Sequence, residues 1–265
     1  MSEMKSHDAG TFCWVDLATT DANAAKAFYS ELFGWNPIDA PAGDAGTYTM
    51  LMLGENAVGG LSEQHAKMKE MGVPPMWTSY VAVEDADATA KRVTQLGGKV
   101  IEAPFDVMEF GRMAVLQDPG GAAFAVWQPK QHVGAGVKDD PGSVCWNELV
   151  TRDMDGAKAF YEALFGWKGK THGSDMPYTE WERGEGMPHA GGGMEMKGDQ
   201  WKGVPPHWSV YFAVDDVDAS VKRAEQLKGS VTVPPTEVAE VGRFAVLRDP
   251  QGAVFSIIKL AHTAK

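Results

Sequence analysis

The segment Cys13-Trp14-Val15-Asp16-Leu17, leading through Asp21 and Ala25-Lys26-Ala27-Phe28-Tyr29 to Leu32-Phe33-Gly34-Trp35, occurs twice in this chain. The second copy runs from Cys145 to Trp167 at a constant offset of 132. Comparing Phe12–Trp35 with Val144–Trp167, 14 of 24 positions are identical. Unrelated stretches do not agree so closely, so the chain is a duplication and each half must build the same fold. For 265 residues this means two domains of about 130 residues, each long enough to bury a core. The expected domains are 10–129 and 142–260. Between them, 130–141 reads as a linker, with two lysines, two glycines and Asp139-Asp140-Pro141.

The repeated segment reads as a strand followed by a helix. Cys13, Val15 and Leu17 alternate with Trp14 and Asp16, as a period of two requires. Asp21 is a suitable N-cap, and Ala24, Phe28, Leu32 with Ala25, Tyr29, Phe33 form two i, i+4 rows on one helical face. Gly34 and Gly166 are left-handed stops. Asn147 stands where Val15 does, which makes that strand face less apolar in the second copy.

Further along, Tyr48–Leu53 reads as a strand, Gly59-Gly60 as a sharp feature before Leu61, and 63–72 as a connector that includes His65, with a short helical turn stopped by Val73-Pro74-Pro75. A strand at Trp77–Val83 then leads into a helix whose Ala86, Ala90, Val93 and Leu96 share a face. Strands at Val100-Ile101, Met113–Leu116 and Ala123–Trp127 follow, with a turn at Asp118-Pro119-Gly120-Gly121. Each domain therefore holds two modules of one plan. The later motifs recur at an offset of 131. The copies diverge most over 168–200, where Pro188-His189 and Gly191-Gly192-Gly193 appear, marking the loop expected to differ in function.

A formal charge of −12 argues against nucleic acid and anionic lipid surfaces as partners and suits a cationic small molecule. No apolar run approaches the roughly 20 residues of a membrane span, and the first ten residues lack a hydrophobic signal region, so the expectation is a cytoplasmic protein. Cys13 and Cys145 occupy matching strand positions and read as core residues of separate domains rather than as a disulfide.

The strand with its Asp21, Ala27-Phe28-Tyr29 and Leu32-Phe33-Gly34, then Val83-Glu84-Asp85, then Asp118-Pro119 and Gly121, resemble the vicinal oxygen chelate superfamily. That superfamily includes glyoxalase I, bleomycin-resistance proteins, fosfomycin-resistance enzymes and extradiol dioxygenases. The resemblance covers nearly the whole chain, twice, and the Cys-Trp start and Phe-Gly-Trp helix end look like the two-domain actinobacterial glyoxalase-like type. It implies an α+β fold of tandem domains, each of two βαβββ modules with curved sheets around a small-molecule cleft, the domains pairing within the chain. Metal-dependent members place His, Glu or Gln on the opening strand of each module and Glu on the last strand. Carried over, those positions hold Trp14 and Trp146, Thr78 and Ser209, and Ala125 and Ser256. An indole, hydroxyls and a methyl group are poor ligands, so the expectation is no metal and no other cofactor.

Asp16 and Glu148 lie two residues beyond the opening-strand positions, on the face that the resemblance turns to the cleft. A carboxylate there is a candidate general base or counter-charge, set against a partly exposed acid that bonds a neighbouring strand. Tyr80 and Tyr211 share that face and could orient a carbonyl or phenol, or simply pack. His207 could join a shifted metal site with Asp16 or Glu148, although a solvated histidine at a strand start is the plainer reading; His189 and His65 read as surface residues. Arg112 and Arg243 could hold an anion or form strand-end salt bridges. Trp14 and Trp146 would wall the cavity and suit a flat ligand. Two functions stay open: a binding protein for a planar or cationic compound, or a glyoxalase-like lyase, isomerase or dioxygenase-type enzyme in which Asp16 or Glu148 moves a proton, with a divalent metal only if the shifted donors assemble.

Overall fold

The computed structural model describes residues 4–43, 46–174 and 177–261. In the first module β1 (Phe12–Thr19) leads to α1 (Ala22–Phe33), then β2 (Asn36–Pro41), β3 (Thr47–Leu53) and β4 (Asn56–Glu63). The Asp21 carboxylate accepts a hydrogen bond from the Ala24 amide, which starts α1, and Gly34 ends it in the left-handed region at φ 74°. A five-residue helix, α2 (Ala66–Glu70), fills the connector. The second module repeats the plan with β5 (Met76–Ala82), α3 (Ala86–Gln95), β6 (Lys99–Val107), β7 (Gly111–Gln117) and β8 (Ala123–Pro129).

The other half matches strand for strand, with a 3-10 turn at Asp199–Trp201 in the connector where the first half has α2: β9 (Val144–Thr151), α4 (Met154–Phe165), β10 (Lys168–His172), β11 (Tyr178–Glu182), β12 (Gly191–Glu195), then β13 (His207–Ala213), α5 (Val217–Gln226), β14 (Ser230–Val238), β15 (Gly242–Arg248) and β16 (Val254–Leu260). Each half forms one eight-stranded sheet. The orders are β2-β3-β4-β1-β5-β8-β7-β6 and β10-β11-β12-β9-β13-β16-β15-β14, so the two modules of a domain join side by side through an antiparallel β1–β5 or β9–β13 pair.

Two local expectations are corrected. Gly59-Gly60 is no sharp feature but the middle of β4, and Gly191-Gly192-Gly193 lies not in a loop but in β12. Glycine is there for clearance: a Cβ at Gly59 would stand 3.1 Å from Val15, and one at Gly60 would overlap the Tyr48 hydroxyl. The alternation of β1 also breaks at its start. A register shift between Phe12 and Trp14 leaves Cys13 packed with Trp14 and Tyr80 rather than with Val15 and Leu17. Both cysteines are free, and burial pushes each thiol up to about 12.

The apolar helix face does not serve its own sheet alone. Phe28, Tyr29 and Phe33 of α1 share a core cluster with Phe212, Ala245, Leu247 and Phe255 of the other domain, and Phe160 and Tyr161 of α4 pack with Leu116 and Phe124 of the first. Four polar ties follow the same two-fold pattern. Tyr29 donates to Asp249 Oδ2 and Tyr161 to Asp118 Oδ2, each at 3.0 Å, while the Trp35 and Trp167 indoles donate to the carbonyls of Gly142 and Gly10 at 2.7 and 2.9 Å. The segment read as a linker is itself packed: Ala135 donates its amide to the Cys13 carbonyl, and Val137 is 1 % exposed in the shared core.

Candidate functional site

The site in each domain is built where the two modules join. Side chains of one sheet face stand beside each other across the strands according to register, and Asp16 is paired with Gly60 on β4 and with Thr78 on β5. Trp14 is paired with Tyr80, which in turn is paired with Ala125 on β8. The neighbour of Trp14 and Ala125 is therefore Tyr80, not Thr78, so the positions carried over as one set do not share a row.

Asp16 is the centre of the domain 1 site. Its Oδ1 accepts hydrogen bonds from the Trp14 indole at 2.9 Å and the Tyr48 hydroxyl at 2.6 Å, and its Oδ2 accepts one from Tyr80 at 2.8 Å. Burial raises the carboxyl pKa, and the donors from Tyr48, Tyr80 and Trp14 oppose that rise without cancelling it. All three donors are neutral. Both phenols are held far above their ordinary range by burial and by the adjacent carboxylate.

Trp14, Tyr80, Ala82, Ala125 and Trp127 form an apolar cluster around this group, with Met50, Val107 and Met113 packed against it. The segment after β8 closes one side: the His132 ring stands edge-on to Trp14 at 4.6 Å, and its backbone carbonyl accepts the Trp127 indole at 2.8 Å. His132 Nε2 is buried with no hydrogen-bond partner among the described residues, and burial, with His7 nearby, lowers its pKa.

Domain 2 repeats the arrangement with a longer acid. Glu148 accepts from the Tyr211 hydroxyl at 3.0 Å and lies against the Tyr178 phenol, whose other contact is the Trp146 indole, donating at 2.8 Å. Burial raises the Glu148 pKa and the tyrosines oppose it. Ser256 stands beside Tyr211 and hydrogen-bonds its phenol. Ser209 is paired with Glu148 as Thr78 is with Asp16.

Sequence reasoning did not find Tyr48 and Tyr178. They correspond, but at an offset of 130, because the second copy loses two residues between its helix and this strand. A matching signal was in the glycines. Gly60 and Gly192 sit beside Asp16 and Glu148, and a Cβ on either would lie within 2.0 Å of the Tyr48 or Tyr178 hydroxyl. Glycine leaves the path along which each phenol reaches its acid.

The remaining candidates lie elsewhere. Arg112 and Arg243 are held in ion pairs: each is paired through Nε and Nη2 with an aspartate in the first turn of a helix, Asp87 and Asp218, with the shorter contacts at 2.6 and 2.7 Å. They lie on the helix side of the sheet, Arg112 being paired with Gln128, which caps α3. His207 is tied through Nδ1 to the Pro205 carbonyl at 2.8 Å, and the groups bonding Glu148 are tyrosines, so the shifted His–Glu site is not assembled. His189 stands 3.7 Å and His172 3.5 Å from Glu180 on β11. Among the described residues no group of three His, Cys, Asp or Glu side chains is placed to hold a metal ion. Nor is any helix among them long and apolar enough to cross a membrane.

Known proteins agree with this architecture. The protein CFP32 of Mycobacterium tuberculosis, whose name groups it with the glyoxylases, is 43% identical over 267 aligned residues, covering 98% of this chain and 99% of that one. The anthracycline biosynthesis protein DnrV of Streptomyces peucetius is 39% identical over 266 residues, 95% of this chain and 94% of its own. Among solved structures, the Mn(II)-bound glyoxalase of Novosphingobium aromaticivorans superposes with a TM-score of 0.63 at 18% identity, over 97% of this chain and 86% of that one. The 2,3-dioxygenase LapB of Pseudomonas sp. KL28 gives 0.65 at 13%, over 97% and 96%. The model of the Glyoxalase/Bleomycin resistance protein/Dioxygenase superfamily matches residues 11–126 and again 143–257, and with it the chain belongs to that superfamily.

Proposed function

We propose that this protein binds a planar aromatic small molecule, preferably a cationic one, against Trp14 in the first cleft or Trp146 in the second, and does so without a bound metal. The observation that carries the reading is the Asp16 carboxylate, enclosed by aromatic rings and bonded, among the described residues, only by the neutral donors Trp14, Tyr48 and Tyr80. A buried acid with no cationic partner in its hydrogen-bond set is costly, and a cation beside it offsets that cost. The indoles add stacking and cation–π attraction of roughly 0.5–2 kcal/mol. The metal-free part rests on the chemistry of the donors: the row Trp14, Tyr80, Ala125 offers an indole, a phenol and a methyl group, and Asp16 alone does not make a divalent site. Two relatives named for anthracycline biosynthesis fit a planar polycyclic ligand.

Titration with an amino-substituted and an uncharged hydroxyanthraquinone, followed by tryptophan fluorescence, tests the reading. Quenching with micromolar affinity is expected, and Trp14→Ala or Trp146→Ala should weaken it about fivefold or more. Asp16→Asn or Glu148→Gln should cost the cationic probe far more affinity than the neutral one. Equal affinity for both probes in wild type and variants would remove the counter-charge. A second reading has its own support. The raised pKa of Asp16 and Glu148 brings each nearer to the range in which a general base works, with Tyr80 or Tyr211 orienting a carbonyl. If Asp16→Asn and Glu148→Gln leave binding intact but abolish turnover of a carbonyl compound, proton transfer replaces sequestration.

A further inference from the structure

Each half of a duplicated chain is a reference for the other, and one difference lies on the outer strands, away from Asp16 and Glu148. In domain 1, Lys26 on α1 donates to both carboxylate oxygens of Asp39 on β2, at 3.1 and 2.9 Å, and the buried Thr49 on β3 donates to Asp39 Oδ1 at 2.6 Å. Thr49 first and Lys26 second hold the Asp39 carboxyl below its ordinary range. Domain 2 keeps the lysine as Lys158 and the buried threonine as Thr179. Register sets Thr171 opposite Thr179, where in domain 1 it sets Asp39 opposite Thr49. Domain 2 thus has a threonine where domain 1 has this carboxylate, and the Thr179 hydroxyl is bonded to that of Thr171 instead.

Beside these threonines is a half-open cavity of about 200 Å³, lined by Lys158, Thr171, Thr179 and the acids Asp153, Asp155 and Glu195, with Met154 and Pro177 as its apolar part. One water needs roughly 10–15 Å³ on the same measure, so the space suits an organic molecule of several atoms. The Thr171 and Thr179 hydroxyls lie 2.8 Å apart, and the Lys158 ammonium makes only a 3.7 Å contact with Asp155 among the described residues, an acid that is 97% exposed. The other acids on the wall are engaged. Asp153 caps the Gly156 amide at 2.8 Å, and Glu195 pairs with Lys197 at 3.0 Å.

We infer that this cavity binds the carboxylate of a small organic acid, which occupies in domain 2 the place that Asp39 fills in domain 1. Lys158 supplies the charge, the buried Thr179 hydroxyl donates to Thr171 and leaves the Thr171 hydroxyl to donate to a carboxylate oxygen, and Met154 and Pro177 cover the apolar remainder. The site lies on the helix side of the sheet, since Thr179 is buried there beside the helix while its neighbour Tyr178 faces Glu148. It is independent of the cleft and of the ligand proposed for it.

The test is a nuclear magnetic resonance titration of the full chain with sodium acetate and sodium benzoate, with sodium chloride as the control. Saturable shifts are expected at Thr171, Thr179 and Lys158 with the carboxylates alone. Thr171→Asp restores the internal carboxylate; it should abolish those shifts and raise the thermal midpoint in buffer free of organic acids. Lys158→Gln should weaken binding about tenfold or more while Thr171 and Thr179 keep their native chemical shifts. The inference is overturned if chloride produces the same shifts, if the saturable shifts fall elsewhere, or if Thr171→Asp binds acetate and benzoate as the wild type does.

Discussion

Asp16 shows how one residue can be legible in type and illegible in setting. Its place on the strand face of Trp14 followed from a period of two, and the resemblance alone turned that face to a cleft, but its partner Tyr48 lies 32 residues away, on a strand whose match to the second copy is hidden by a two-residue loss. The setting has a consequence for stability. Burial favours the protonated acid in the folded chain, so the folded pKa lies above the ordinary 3.8. Stability from this group is fully present below 3.8 and is lost as pH rises through the folded value, because the ionised carboxylate must then be held in the aromatic site. Asp16→Asn removes that cost. Thermal unfolding of wild type and Asp16→Asn from pH 4 to 8 should show the variant gaining about 1 kcal/mol relative to wild type toward pH 8, with the gap closing toward pH 4. A variant less stable at pH 8 than at pH 4, relative to wild type, would mean that the three donors outweigh burial.

At the scale of elements, the repeated helix α1 and its counterpart α4 were readable from caps and spacing: Asp21 and Asp153 start them, Gly34 and Gly166 end them, and the buried residues of α1, Ala25, Phe28, Tyr29 and Phe33, all belong to the apolar rows. What the rows pack against was not readable. In a duplicated chain a buried phenylalanine satisfies the same pattern whether it meets its own sheet or its twin's, and Phe28, Tyr29 and Phe33 meet both. The Asp118 and Asp249 turns carry the same ambiguity. Asp249 Oδ1 accepts the amides of Gln251, Gly252 and Ala253, as a turn aspartate should, while Oδ2 accepts Tyr29 from the other domain. Tyr29 also accepts the Trp77 indole at 3.0 Å, so the phenol completes two buried partners. Tyr29→Phe leaves both without that bond, and urea unfolding should report a loss of about 1–3 kcal/mol. Tyr161→Phe, which strips Asp118 and Trp208 in the same way, should cost a similar amount. A loss of a few tenths in both variants would show that the turns hold without the tie between domains.

For the whole molecule, the question is why two nearly equivalent halves pair with each other rather than each with a copy of itself. The misfit Asn147 answers it. Its Oδ1 accepts the buried Ser79 hydroxyl at 2.5 Å across the domain boundary, whereas the corresponding positions on the other side of the pseudo-two-fold, Val15 and Val210, are apolar and lie together in one core cluster. A homodimer of the first half would set Ser79 against Val15, and one of the second half Asn147 against Val210. Either leaves two buried polar groups unpaired, at about 1–3 kcal/mol each. Separate fragments 1–130 and 142–265 should therefore aggregate or stay loosely folded alone, with Phe28, Phe33 and Trp35 of one and Phe212 and Phe255 of the other uncovered, and should recover a compact one-to-one complex when mixed. Size-exclusion chromatography with near-ultraviolet circular dichroism measures both. In fragments carrying Ser79→Val and Asn147→Val the penalty on self-pairing is gone, so homodimers should appear beside the mixed complex. The argument fails if the unmodified halves are each monomeric and as stable as the intact chain, or if they form homodimers as readily as the valine variants do.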